Sequence, residues 1–196
     1  MKFFDTNNIS IENILSSSFL FDIDLSNLRR FKVEETKKEK AVSLIFKNKY
    51  VGDYCLNEFG KPLSETTCFN ISHSKGAVVF VKDNLPIGID IEKIRPAEDN
   101  LIDYISSNEE KRYIKNEINF YEIWTNKESL TKAMGTGIRT KIKEIPGLPI
   151  NGVKEYEGKK YYCQTVKYKD YIITVTREGL EPFEIDIMEE KFFTHH

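Results

Sequence analysis

Residues 33–50 carry Ala41, Val42, Ile45 and Phe46 at helical spacing, with Lys and Glu filling the other face, which predicts an amphipathic helix. Residues 55–67 contain Gly60 and Pro62 and read as a connecting loop. A short β-branched and aromatic run follows at 77–81, and residues 86–92 alternate strictly between apolar and polar. With Asp83 and Asn84 between them as turn residues, the two runs predict a hairpin. Ser106, followed three residues later by Glu109, has the spacing of a capping box and announces another helix. From Phe120 onward Ile123, Trp124, Leu130 and Met134 keep a helical stripe, which Gly135 and Gly137 should stop. Asn151-Gly152 is a hairpin-turn signal, and residues 159–167 and 171–176 read as strands joined near Lys169-Asp170. The order helix, hairpin, helix, hairpin predicts an α+β fold made of two halves of similar plan, residues 1–95 and 96–196, with no sequence repeat between them.

Composition narrows the function classes. At 196 residues the chain can bury about 70% of its unfolded surface, so neither a disulfide nor a structural metal is required for folding. Lys and Arg number 29 against 31 Asp and Glu, which gives no global attraction to nucleic acid or to an anionic membrane. Any site for an anion must be local. Cys55, Cys68 and Cys163 form no CxxC pair, and a reducing cytoplasm is expected. Met1 to Asn8 lack the apolar run of a signal peptide, and the longest clean apolar run, 77–81, is far too short to cross a bilayer. His195 and His196 are given no function.

Three segments carry candidate chemistry. In residues 86–92 the isoleucines share one face of a strand, so Gly88, Asp90 and Glu92 share the other. Two carboxylates about 6 to 7 Å apart on a rigid strand can jointly hold a hard cation, magnesium being the natural candidate, or can simply face water. The same acid spacing recurs at Asp22-Ile23-Asp24 and Glu184-Ile185-Asp186. On the later helix Glu128 and Lys132 stand four apart on one face, with Lys127 about 100° around, which also fits an ordinary surface ion pair. His73, flanked by Ser72 and Ser74, offers a plausible phosphate-contacting turn.

Taken together, residues 69–74 (Phe-Asn-Ile-Ser-His-Ser), 88–92 (Gly-Ile-Asp-Ile-Glu) and 124–132 (Trp-Thr-Asn-Lys-Glu-Ser-Leu-Thr-Lys) resemble, in order and spacing, the three signatures of the 4′-phosphopantetheinyl transferase superfamily. Lys127-Glu128-Ser129, Gly60-Lys61-Pro62 and Gly135-Thr136-Gly137 are similar to its surfactin-synthetase-activating branch. The resemblance implies two pseudo-two-fold related halves with coenzyme A in the cleft between them. It implies magnesium on Asp90, Glu92 and Glu128, phosphate contacts from Lys127, Lys132, Ser72 and His73, and a nucleotide-lining role for Lys61 and Pro62. Glu128 and Lys132 would then act in catalysis, with Glu109 either an accessory acid or the helix cap. Where the family usually shows arginine and threonine or serine against the 3′-phosphate, this chain has Lys37, Lys38, Glu39 and Lys40, with Ser43 a turn later.

The implied reaction is transfer of phosphopantetheine from coenzyme A to a serine of an acyl or peptidyl carrier protein, by a cytoplasmic monomer that uses no nucleic acid or membrane. Arg139, Lys141 and Lys143 are the expected contacts to an acidic carrier. A magnesium-dependent phosphohydrolase and an inactive carrier-binding module are the competing readings.

Overall fold

The computed structural model describes residues 1–20, 23, 25–138 and 142–192. In chain order the elements are β1 (Lys2–Asp5), α1 (Ile11–Leu15), α2 (Glu34–Tyr50), β2 (Cys55–Leu56), β3 (Pro62–Leu63), β4 (Cys68–Ser74), β5 (Ala77–Asp83) and β6 (Ile87–Lys93). There follow α3 (Asp99–Ile105), α4 (Asn108–Tyr113), α5 (Glu117–Met134), β7 (Gly152–Tyr156), β8 (Lys159–Tyr168), β9 (Tyr171–Glu178) and β10 (Met188–Glu189). The result is a mixed α+β structure with two four-stranded sheets, ordered β10-β1-β5-β4 and β6-β9-β8-β7.

Burial explains the sequence patterns. Ala41, Val42, Ile45 and Phe46 of α2 pack on Phe4, Phe69, Val78 and Phe80 of the first sheet. The opposite face of β5, Ala77, Val79 and Val81, meets Ile87, Ile89, Ile91, Ile173 and Val175 of the second sheet. A strand covered on both faces needs apolar residues at every position, which is why 77–81 shows no alternation. α5 covers the far side of the second sheet with Phe120, Tyr121, Leu130 and Ala133. Its backbone lies directly on β6, since a Cβ at Gly88 would stand 2.1 Å from the Ser129 carbonyl oxygen. Only glycine allows that approach. Gly135, left-handed at φ 80°, then closes the helix.

Several expectations are corrected. Residues 77–81 and 86–92 are neighbours in sequence but not a hairpin: β5 pairs with β1 and β4, while β6 pairs with β9, Ile89 opposite Val175. β6 thus belongs to the second sheet although it lies before residue 95. Asn151-Gly152 opens β7, and the turn joining β7 to β8 is at Glu157 and Gly158, both with positive φ. The capping box is formed one residue later than expected, by Ser107 and Glu110. β1 carried too short a pattern to be read from the sequence. β10 lies parallel to β1, and Glu190 just after it pairs with Lys2 of β1 and Lys49 of α2. No helix among the described residues is long and apolar enough to cross a membrane.

Candidate active site

β4 and β6 run side by side at the junction of the two sheets without sharing a backbone ladder. Side chains fill the gap. The Ile89 N–H donates to Asn70 Oδ1 at 3.1 Å, and the Lys93 N–H donates to Ser74 Oγ at 3.3 Å. Ser72 Oγ donates to Asp90 Oδ1 at 2.9 Å, and Ser74 Oγ donates to Glu92 Oε2 at 2.8 Å. The alternation Asn70, Ser72, Ser74 is therefore one polar face of a strand, not a turn, and it aims the two acids of β6.

Asp90 is 4% exposed. Its Oδ1 also accepts from Lys132 Nζ at 2.5 Å, while its buried Oδ2 has no hydrogen-bond partner among the described residues. The indole N–H of Trp124 donates to Glu92 Oε1 at 3.3 Å. Burial, and then the neighbouring Asp90 charge, raise the Glu92 carboxyl above its ordinary range. Glu128, one turn beyond Trp124 on α5, is pushed up to about 7 by burial and by Asp90 and Glu92, against the opposing pull of Lys132. Lys132 is thus bound to the strand carboxylate and is not simply the surface partner of Glu128.

The donor set is all oxygen, like-charged and desolvated, and it includes an orphaned carboxylate oxygen. These features fit a hard divalent cation such as magnesium. Among the described residues no three acidic or imidazole side chains already close around one point, and Lys132 takes the Asp90 Oδ1 position. Binding an ion there requires these side chains to adjust.

On the other side of β4 lies a cavity of about 320 Å³ whose lining includes Arg30, Lys40, Ser43, Lys47, Pro62 and His73. Three cations from α2 and the preceding 3₁₀ turn face it together with the imidazole, a local concentration of positive charge in a chain of balanced composition. A second cavity of about 450 Å³, reaching from Leu63 and Pro86 to Tyr161, also borders Pro62.

Not every expected residue joins the site. Lys61 Nζ donates to the carbonyls of Lys132 and Ala133, at 2.6 and 3.1 Å, and so caps the C-terminus of α5. Lys127 is 0% exposed, bound to Glu110 at 2.8 Å and to the carbonyls of Ile105 and Ile142, so it does not face the cleft. Glu109 is exposed, and the capping carboxylate is Glu110. Arg139 and Lys141 lie outside the described residues, and Lys143 sits in a 3₁₀ turn, Ile142–Glu144. Sequence reading missed Trp124, Ser74 and Asn70 as supports of the acids, and Arg30 and Lys47 as cavity cations. Of these, only the alternation of Asn70, Ser72 and Ser74 carried a local signal.

An acid cluster on a strand and a helix beside a basic cavity has the charges that a polyanion paired with a divalent cation would need. Residues 86–176, which carry all three acids, match the model of the 4′-phosphopantetheinyl transferase superfamily. The chain is similar to the 4′-phosphopantetheinyl transferase gsp of Aneurinibacillus migulanus, 35% identical over 120 residues, covering 58% of this chain and 46% of that protein. It is 37% identical over 94 residues to the 4′-phosphopantetheinyl transferase ffp of Bacillus subtilis, covering 43% of this chain and 42% of that one. It is 36% identical over 94 residues to the 4′-phosphopantetheinyl transferase Sfp of Bacillus subtilis strain 168, with the same coverage. In each case the match spans less than half of the relative's length.

Proposed function

We propose that the protein transfers 4′-phosphopantetheine from coenzyme A to a serine of an apo carrier protein and releases 3′,5′-ADP. The observation that carries this reading is the juxtaposition of the Asp90, Glu92 and Glu128 cluster with the Arg30, Lys40, Lys47 and His73 cavity. One ligand with a pyrophosphate and a separate 3′-phosphate matches both. Asp90, Glu92 and Glu128 would hold magnesium, which would neutralise the pyrophosphate as charge builds on the leaving group.

The remaining work falls to the chain's own groups. The serine oxygen forms a bond to the β-phosphorus as the bond to the bridging oxygen of 3′,5′-ADP breaks. The serine proton passes to Glu128, a carboxylate that burial and the neighbouring Asp90 and Glu92 charges make a better proton acceptor than an ordinary glutamate. Lys132, already turned inward, supplies positive charge to the leaving phosphate beside Ser72, while Lys40, held by His73, faces the separate 3′-phosphate. Two sheet-and-helix units in one chain, one built on β10-β1-β5-β4 and the other on β6-β9-β8-β7, are read as pseudo-two-fold halves that complete the cleft within a cytoplasmic monomer, the boundary falling before β6 and not at residue 95. The carrier would enter beside Arg95, Leu101 and Tyr104, where Leu101 is 42% and Tyr104 69% exposed and the Arg95 guanidinium acts on the Glu92 carboxyl.

The test is incubation with coenzyme A, magnesium and a panel of apo carrier proteins, read by mass spectrometry. The expected result is a carrier heavier by one phosphopantetheine. Release of 3′,5′-ADP without carrier modification would instead identify a phosphohydrolase, and carrier binding without either product an inactive module.

A further inference from the structure

At the acidic cluster the roles follow from like charges brought together, but the basic cavity contains an arrangement of a different kind. Glu39 lies on α2 among Lys37, Lys38 and Lys40, in the segment that departs from the family pattern, and outside residues 86–176. It points inward and is 5% exposed. One carboxylate oxygen, Oε1, accepts the Gly76 N–H at 2.9 Å, and the other, Oε2, lies 3.0 Å from His73 Nδ1. The opposite ring nitrogen, Nε2, lies 2.8 Å from Lys40 Nζ. Burial alone would raise the Glu39 carboxyl, but the hydrogen bonds from His73 and Gly76 outweigh it and hold it low.

A carboxylate can only accept and an ammonium can only donate. Both neighbours therefore demand the same ring state, with the proton on Nδ1 and the lone pair on Nε2.

We propose that Glu39 is a positioning residue of the basic cavity: it fixes His73 as the Nδ1–H tautomer, so that Nε2 holds the Lys40 ammonium at the cavity wall, ready for the phosphate monoester of a nucleotide ligand. The ligand class rests on the function proposed above; the Glu39–His73–Lys40 chain does not. Replacing Glu39 by Gln keeps shape and the Gly76 bond but presents an N–H₂ to Nδ1. The ring proton must then move to Nε2, where it opposes the Lys40 ammonium and drives it from its place.

Nitrogen-15 NMR of ¹⁵N-histidine-labelled protein at pH 8 reads the tautomer of His73 directly in the ligand-free wild type, without dependence on a variant. The expected spectrum shows Nδ1 protonated in the wild type and Nε2 protonated in Glu39→Gln. Calorimetry with 3′,5′-ADP as probe should show Glu39→Gln weakening binding about tenfold, equivalent to about 1.4 kcal/mol. Lys40→Met should weaken binding similarly while leaving the tautomer as in wild type. An Nε2–H ring in the wild type overturns the proposal, as does a flipped ring in Glu39→Gln with unchanged probe affinity. A wild type with the expected ring that fails to bind 3′,5′-ADP overturns both the ligand class of this proposal and the function above, leaving the Glu39–His73 tether standing.

Discussion

Lys127 and Glu128 are adjacent on α5, yet they belong to two opposite kinds of charged cluster. Lys127 meets one carboxylate, Glu110, and two carbonyls, and Glu110 in turn accepts from the N–H groups of Ser107 and Gly147. Beside it the buried Lys154 ammonium is held by Asn126 Oδ1 at 2.7 Å and by the Pro146 and Gly147 carbonyls. Every charge on that side is answered by protein. On the next face Glu128 looks toward two further carboxylates with a single ammonium among them, and its carboxyl rises to about 7. A satisfied buried network holds structure in place, whereas an unsatisfied like-charged one stores a demand for a ligand.

The contrast breaks first on stability. Lys127→Met leaves the Glu110 carboxylate buried without its counter-ion and should cost about 3–5 kcal/mol in urea unfolding, the usual result of stranding one partner of a buried pair. A loss below about 1 kcal/mol would show that the network is not structural. Glu128→Gln should do the reverse, folding normally while kcat for carrier modification drops at least about a hundredfold. Added magnesium should recover only part of that loss. Near-normal kcat would remove Glu128 from the chemistry, and full recovery at high magnesium would leave it as a ligand alone.

The same comparison predicts a pH dependence. An acid whose folded-state pKa is raised keeps its proton in the folded chain after the unfolded chain has lost it. Stability therefore falls as pH rises from about 4.5, the ordinary value, to about 7, the value of Glu128 in the fold. In magnesium-free buffer the melting temperature should decline across that window in the wild type, Glu92 adding to the slope in the same direction. It should be visibly flatter in Glu128→Gln; equal slopes would mean the cluster is better solvated than its burial implies. The smallest effect belongs to Glu109→Gln, an exposed side chain one residue from the real cap. Stability within about 0.5 kcal/mol of wild type and unchanged turnover are expected. A large loss of turnover would restore Glu109 as an accessory acid.

Local patterning made much of this legible. The helical stripe of α5 and its glycine stop, the helix α2, the alternation of β6 and the strands β8 and β9 all follow from periodicity, because side-chain direction depends only on neighbours a few residues away. The acids Asp90, Glu92 and Glu128 stood out for the same reason, as did their family resemblance. The burial of polar positions on α5 left no such mark. Thr125 and Ser129 look like solvent-facing positions, but they meet Thr174 and Thr176 of β9 at 2.7 Å in a buried row of hydroxyls.

What the chain's own letters determined is therefore which residues share a face and where the glycine stop of α5 falls, since these are properties of the local backbone. The tertiary structure decided which strands pair, with β6 taking β9, Ile89 opposite Val175, in place of its sequence neighbour β5. It also decided which charge of an adjacent pair is buried and answered, and that Glu39 reaches His73 across thirty-four positions. Pairing and ion contacts depend on which surfaces meet in space, and a charged side chain carries the same letter whether it faces water, a counter-ion or another carboxylate.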